Sequence, residues 1–117
     1  DSTQIELVVC GSSIFIIVVL CLPKFPITHV VIWELQKEEE EFFFSEIARM
    51  PESLSCLWCI KDEHLRRLRC MGVQNYMLFT QLDRKELVVY DMRNGSWSSH
   101  CSVLQAVTSL SLKSRSD

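Results

Sequence analysis

The sequence is short of basic charge, glycine and proline, and each shortage narrows what it can do. Its 117 residues include 12 basic and 15 acidic side chains, a formal net charge of −3, with only three glycines and three prolines. Nucleic-acid binding selects a clear basic stripe, and none is present. Glycine-rich phosphate loops, nucleophile elbows and HExxH helices are all missing, so the common signatures of nucleotide, hydrolase and zinc-protease chemistry are absent. The uncharged run over 7–22 lacks the basic flank and small-residue cleavage site of a signal peptide. A starting methionine is also missing: Asp1 comes first, which suits a piece of a longer chain.

What is present reads as globular. Apolar residues make up 48% and charged residues 23%, too apolar for a disordered chain. The length is that of one ordinary domain with a modest core. Six cysteines, at 10, 21, 56, 59, 70 and 101, give an even count that permits disulfides. Disulfide frameworks, however, belong mostly to small secreted domains with thin cores. Here Val9-Cys10 and Leu20-Cys21-Leu22 embed the thiols in apolar runs, where a reduced cysteine acts as a small hydrophobe. The expected setting is reducing and intracellular, cytoplasmic or nuclear.

The 7–22 run decides between a strand pair and a membrane anchor. As a helix its 16 residues would span about 24 Å, short of a hydrocarbon core of about 30 Å. Val8, Val9, Ile14, Ile16, Ile17, Val18 and Val19 are β-branched, and Gly11-Ser12-Ser13 interrupts them. That pattern predicts two strands, 5–10 and 14–20, joined by a tight turn. A membrane-anchored protein held by 7–22 is the alternative.

Further strands are expected over 29–35, 42–47, 76–80, 86–92 and from 96 onward. The glutamates at 38–41 repel one another and predict a solvated loop over 37–41. Residues 71–75 and Arg93-Asn94-Gly95 predict turns. Residues 51–69 read equally as an amphipathic helix or as a connection leading to a strand at 65–70. From 102 the chain is rich in serine and leucine, and a disordered tail over 102–117 is expected. Short strands with turns every 8–12 residues suggest a sandwich, barrel or propeller. Val31-Ile32-Trp33-Glu34-Leu35 is echoed 57 residues later by Val88-Val89-Tyr90-Asp91-Met92, a blade-sized repeat.

The segment Tyr90-Asp91-Met92-Arg93-Asn94-Gly95-Ser96-Trp97, with Trp seven positions after the aromatic, resembles the third-to-fourth strand of a kelch repeat. Trp33-Glu34-Leu35-Gln36, followed by Phe44-Ser45-Glu46-Ile47-Ala48-Arg49-Met50-Pro51, looks like the preceding unit. With Cys70-Met71-Gly72-Val73 and Leu78-Phe79-Thr80 between them, the chain resembles the C-terminal half of plant F-box/kelch-repeat proteins. Phe44 stands where that family shows Trp, Val73 where it shows His, and no Gly-Gly pair follows a second strand. The resemblance implies a mainly β fold of antiparallel four-stranded sheets. About two kelch-type blades, near 1–50 and 51–101, would make up a partial propeller over 1–101. Trp33, Phe44, Tyr90, Asp91 and Trp97 would then be structural, their rings packed between blades. The implied role is non-catalytic and needs no cofactor: substrate recognition for an SCF-type ubiquitin ligase. The implied partner is a protein target. A ligase linker subunit would be reached only through an F-box, whose helices this sequence does not contain. Trp58, Arg66, Arg67 and the 38–41 loop are candidate contacts, because exposed Trp and Arg often anchor interfaces.

Two chemical alternatives remain. Cys56, Cys59, His64 and Cys70 approach a zinc-knuckle spacing with thiolate and imidazole ligands suited to tetrahedral zinc. The last interval is one residue too long, and no glycine lies between Cys56 and Cys70 to let the loop close around an ion. A redox Cys-x-x-Cys would need a helix N-terminus to lower a thiol pKa, and no βαβ pattern surrounds this one. His29 and His100 are expected at a strand start and in a polar tail, outside any triad. Zinc analysis of the purified protein separates the readings: about one equivalent per chain establishes the knuckle, and none is expected from a kelch-like unit.

Overall fold

The computed structural model describes residues 2–22, 27–55, 68–81, 86–101 and 106–110. The fold is mainly β, with two antiparallel four-stranded sheets. Sheet one holds β1 (Ser2–Cys10), β2 (Ser13–Leu22), β3 (Ile27–Glu38) and β4 (Glu41–Arg49), in chain order. Sheet two holds β5 (Leu68–Val73), β6 (Tyr76–Gln81), β7 (Leu87–Asp91) and β8 (Ser96–His100), also in chain order. A short helix α1 (Glu52–Ser55) follows sheet one, and a second, α2 (106–110), follows sheet two.

Residues 7–22 form β1 and β2 around a Gly11-Ser12 turn, so the membrane-helix alternative over this run is overturned. Gly11 has φ +64°, a left-handed backbone that costs a glycine nothing. No helix among the described residues is long and apolar enough to cross a membrane. The 37–41 loop is shorter than expected. Strand β3 continues to Glu38 and β4 starts at Glu41, leaving only Glu39-Glu40 in the turn. Strand pairing carries the carboxylates out into water, so their repulsion does not open the hairpin; Glu39 takes φ +58° there. The turn at 71–75 contracts in the same way to Gln74-Asn75, with Gln74 at φ +54°. Within 51–69, the described parts are the four-residue helix α1 and the start of β5; a strand beginning at 65 and the long helix lie partly outside the described residues. The tail is not disordered throughout. α2 buries Ala106 against Tyr76, Leu87 and Val89 of sheet two. His100 lies inside β8, with Ser98 Oγ 3.0 Å from its Nε2, instead of in a polar tail.

One apolar core lies between the sheets. Val8, Phe15, Ile17, Val19, Val30 and Ile32 of sheet one meet Leu68, Met77, Phe79, Val88 and Tyr90 of sheet two. Strand alternation explains the set, because each strand sends every second residue inward. The sheets come closest along β1 and β5. There the Gln4 side-chain amide acts as a surrogate peptide group: its Nε2 donates to Leu68 O at 2.6 Å, and its Oε1 accepts from Leu68 N at 3.1 Å. Further along, Cys10 Sγ donates to Gln74 O at 2.9 Å.

Gly72 makes this approach possible. A Cβ built on it would lie 2.8 Å from Cys10 Cβ, closer than real Cβ atoms come, and a tight 3.3 Å from Val9 O. Gly72→Ala must therefore push β5 away from β1, and a loss of about 1–3 kcal/mol is expected, as for overpacked cores. Urea unfolding checks this, with Gly11→Ala, which meets no atom within 4 Å, as a comparison limited to its backbone strain.

Candidate functional site

The aromatic residues singled out in the sequence occupy corresponding strands but different surroundings. Tyr90 on β7 faces sheet one. Its ring centroid lies 4.7 Å from that of Trp97, the residue opposite it on β8, and Trp97 lies 5.7 Å from Phe79. These tilted rings close the core between the sheets. Trp33, at the matching place on β3, points to the other side of its sheet, because Ile32 beside it is the residue in the shared core. Phe44 does not face Trp33. The register set by the Glu39-Glu40 turn pairs Phe44 with Leu35 and puts Glu46 opposite Trp33, and a bulge shifts it only beyond that, between Trp33 and Ile32. Phe44 is exposed.

Asp91 is a buried turn anchor. Its Oδ1 accepts from Arg93 N at 3.0 Å and lies 3.5 Å from Arg93 Nε. Arg93 in turn donates to the Tyr76 hydroxyl at 2.8 Å and stacks 5.5 Å from its ring. The network locks the Met92–Gly95 turn, where Gly95 N donates to Asp91 O at 2.9 Å and Gly95 has φ +69°. Sequence reasoning identified Asp91 but missed that Arg93 links it to Tyr76. Their separation of 17 residues carries no local signal.

Trp58, Arg66 and Arg67 lie outside the described residues, as do Cys56, Cys59 and His64. Among the described residues no group of three or more His, Cys, Asp or Glu is placed to hold a metal. Cys70 is packed against the intersheet core. Its pKa is pushed up to about 12, by burial first and then by the charges of Glu6 and Cys10, against a lowering hydrogen bond from Met71 N–H. Burial raises the Cys10 thiol as well. Metal and redox chemistry both use thiolate, the form that burial disfavours at both thiols. Beside Cys70 a cavity of about 540 Å³ is bordered by Glu6, Arg69, Leu78, Thr80 and Leu87.

The chain matches no family model, no curated protein and no solved structure. Function must therefore be read from surfaces, and two stand out. The first is the side of sheet one that faces away from sheet two. Ile5, Leu7 and Val9 on β1 are 66%, 67% and 63% exposed. Beside them on the same face lie Ile14, Ile16, Val18 and Leu20 of β2, then Val31, Trp33 and Leu35 of β3. The second is β4, the outer strand of that sheet, whose Phe42, Phe43 and Phe44 are all exposed.

The matching face of sheet two is covered, and the comparison gives the sense of the packing. In the repeat, Trp33 corresponds to Tyr90 and Ile32 to Val89. Sheet one turns its Ile32 side to the core, whereas sheet two turns its Tyr90 side. The units therefore stack head to tail, not back to back. The bare face of sheet one is the counterpart of the face that sheet two has buried.

The raised Cys70 pKa has a pH consequence. The folded chain keeps this proton, while an unfolded thiol loses it near pH 8.5–9. Stability is then full below about pH 9 and falls by about 1.4 kcal/mol per pH unit as the pH rises toward 12. In Cys70→Ala the alkaline decline measured by urea unfolding is expected to be shallower by that slope.

Proposed function

We propose that the chain is a non-catalytic protein-binding module, the substrate-recognition part of a kelch-like β-propeller in an F-box-type ubiquitin-ligase receptor. The observation that carries this reading is the head-to-tail packing of two four-stranded meanders around Tyr90 and its shared core. Heterologous packing of repeated units does not close on two members. It continues into a ring or an array. In a propeller the bare Ile5–Leu7–Val9 face is covered by another blade, just as sheet one covers sheet two. The rigid stack then carries loops for target recognition. The exposed Glu38–Glu41 turn is one such loop, with Trp58, Arg66 and Arg67 proposed as further contacts.

The likeness to kelch units is uneven. Tyr90 packs against Trp97 and Asp91 anchors the turn before it, which supports the reading, whereas Phe44 lies on the surface, which does not. The ligase connection rests on the sequence resemblance alone, and an F-box elsewhere in the gene product would supply it.

Two measurements test the two halves of the proposal. Several hundred Å² of bare apolar sheet amounts to on the order of 10 kcal/mol at about 25 cal/mol per Å². The chain alone is therefore expected to self-associate in sedimentation experiments, and Ile5→Lys with Leu7→Glu to reduce that association. A monomeric, cooperatively melting wild-type chain would remove the propeller reading. Co-purification of the full-length protein with the ligase linker subunit is expected, and its failure removes the ligase part alone.

A further inference from the structure

The two sheets end in fourth strands that differ sharply as edges. β8 has five residues, three of them serine. β4 has nine, pairs with β3 alone among the described strands, and exposes three consecutive phenylalanines. Natural sheet edges are protected by proline, lysine, shortness or a covering segment. Glu41–Arg49 contains neither proline nor lysine. Its one irregularity, the bulge at Ile47, lies toward the far end and leaves 41–46 as a regular edge.

Side-chain placement around that edge is specific. Phe42 and Phe44 lie on the outer face, across from Lys37 and Leu35, while Phe43 lies on the inner face across from Gln36. A strand added beside β4 would therefore meet an aromatic ring on either face. The charge is one-sided. Residues 38–49 hold five glutamates and one arginine, and that arginine, Arg49, is already bound to Glu46 at 2.8 Å. Glu38, Glu39, Glu40 and Glu41 are all exposed at the end where the regular edge begins. A lysine is already drawn to these rings: Lys37 Nζ sits 5.5 Å from the centre of Phe42.

We propose that β4 is a strand-addition site for an extended segment of a partner protein in which apolar residues alternate with lysine or arginine. The segment pairs with the open backbone edge of β4, rests its apolar side chains beside Phe42 and Phe44 on the outer face, and carries its basic side chains on the inner face beside Phe43. Its basic side chains face the Glu38–Glu41 turn. Main-chain pairing supplies affinity, and the rings and carboxylates supply selection. The acidic excess along 38–49 favours a foreign basic strand over a second copy of β4. The inference rests on the reading of the chain as a protein-binding module, and it names a site and a partner chemistry for that role.

The test uses the full chain immobilised at low density, which separates copies from one another. The probes are a ten-residue peptide alternating valine and lysine and its valine–glutamate counterpart. The lysine peptide is expected to bind, to weaken as salt rises, and to lose about tenfold in affinity with Glu38→Lys/Glu40→Lys, since opposed charges set such selectivity. Hydrogen exchange of the bound chain should show new protection at 42–46, the readout that separates strand addition from loose charge attraction. Equal binding of the glutamate peptide, a change below about twofold in the variant, or protection confined to other strands overturns the proposal. Protection of 42–46 that grows with chain concentration in solution without peptide would assign the edge to a second copy and overturn it too. Co-purification with a ligase linker is independent of every one of these outcomes.

Discussion

Everything in this molecule hangs from the apolar seam that joins the Ile32 side of sheet one to the Tyr90 side of sheet two. Each sheet alone is a four-stranded meander with two faces and nothing to bury them against. Their contact removes Ile17, Ile32, Met77, Phe79 and Val88 from water completely or nearly so, and burial of this kind is the dominant favourable contribution to folding. The seam also dictates where polar groups are tolerated. β1 and β5 come together so closely that Gly72 can carry no side chain, and the backbone ends exposed by that approach are satisfied by Gln4. Packing and hydrogen bonding at this junction thus support each other.

The same seam creates an imbalance. Because the units stack head to tail, one side of each is committed and the opposite side of the next is left over. Sheet two meets this partly with α2, whose Ala106 and Leu110 pack on Tyr76, Leu87 and Val89. Among the described residues sheet one has no such cover, and Ile5, Leu7 and Val9 are exposed. A soluble monomer rarely leaves so continuous an apolar face in water, which is why the proposed role is that of one part of a larger stack. The acidic, phenylalanine-bearing edge of β4 is a second surface of a different kind, exposed in its rings and paired on one side only among the described strands.

Much of the fold was legible in the residues. β-branched composition and short turn signals located the strands of sheet one and β6, β7 and β8 to within a few positions, whereas β5 was left open between a helix and a strand and its second half was read as turn. The repeat of Val31-Ile32-Trp33-Glu34-Leu35 in Val88-Val89-Tyr90-Asp91-Met92 correctly paired the third strands of the two sheets. Turn lengths were overestimated at 37–41 and 71–75, because charge and polarity mark exposure, not the end of backbone pairing. The tail was misjudged at 106–110, where a single alanine finds a pocket that only the assembled sheet provides.

The sequence by itself determined the β class and the approximate place of most strands, since these follow from local sterics and turn chemistry. Only the tertiary structure decided which of two apolar faces is buried. Both faces of sheet one are rich in valine, isoleucine and leucine, so hydrophobicity along the chain could not choose between them. The choice was made by shape: the glycine at 72 and the reach of Gln4 to Leu68 bring together residues that are far apart in the chain.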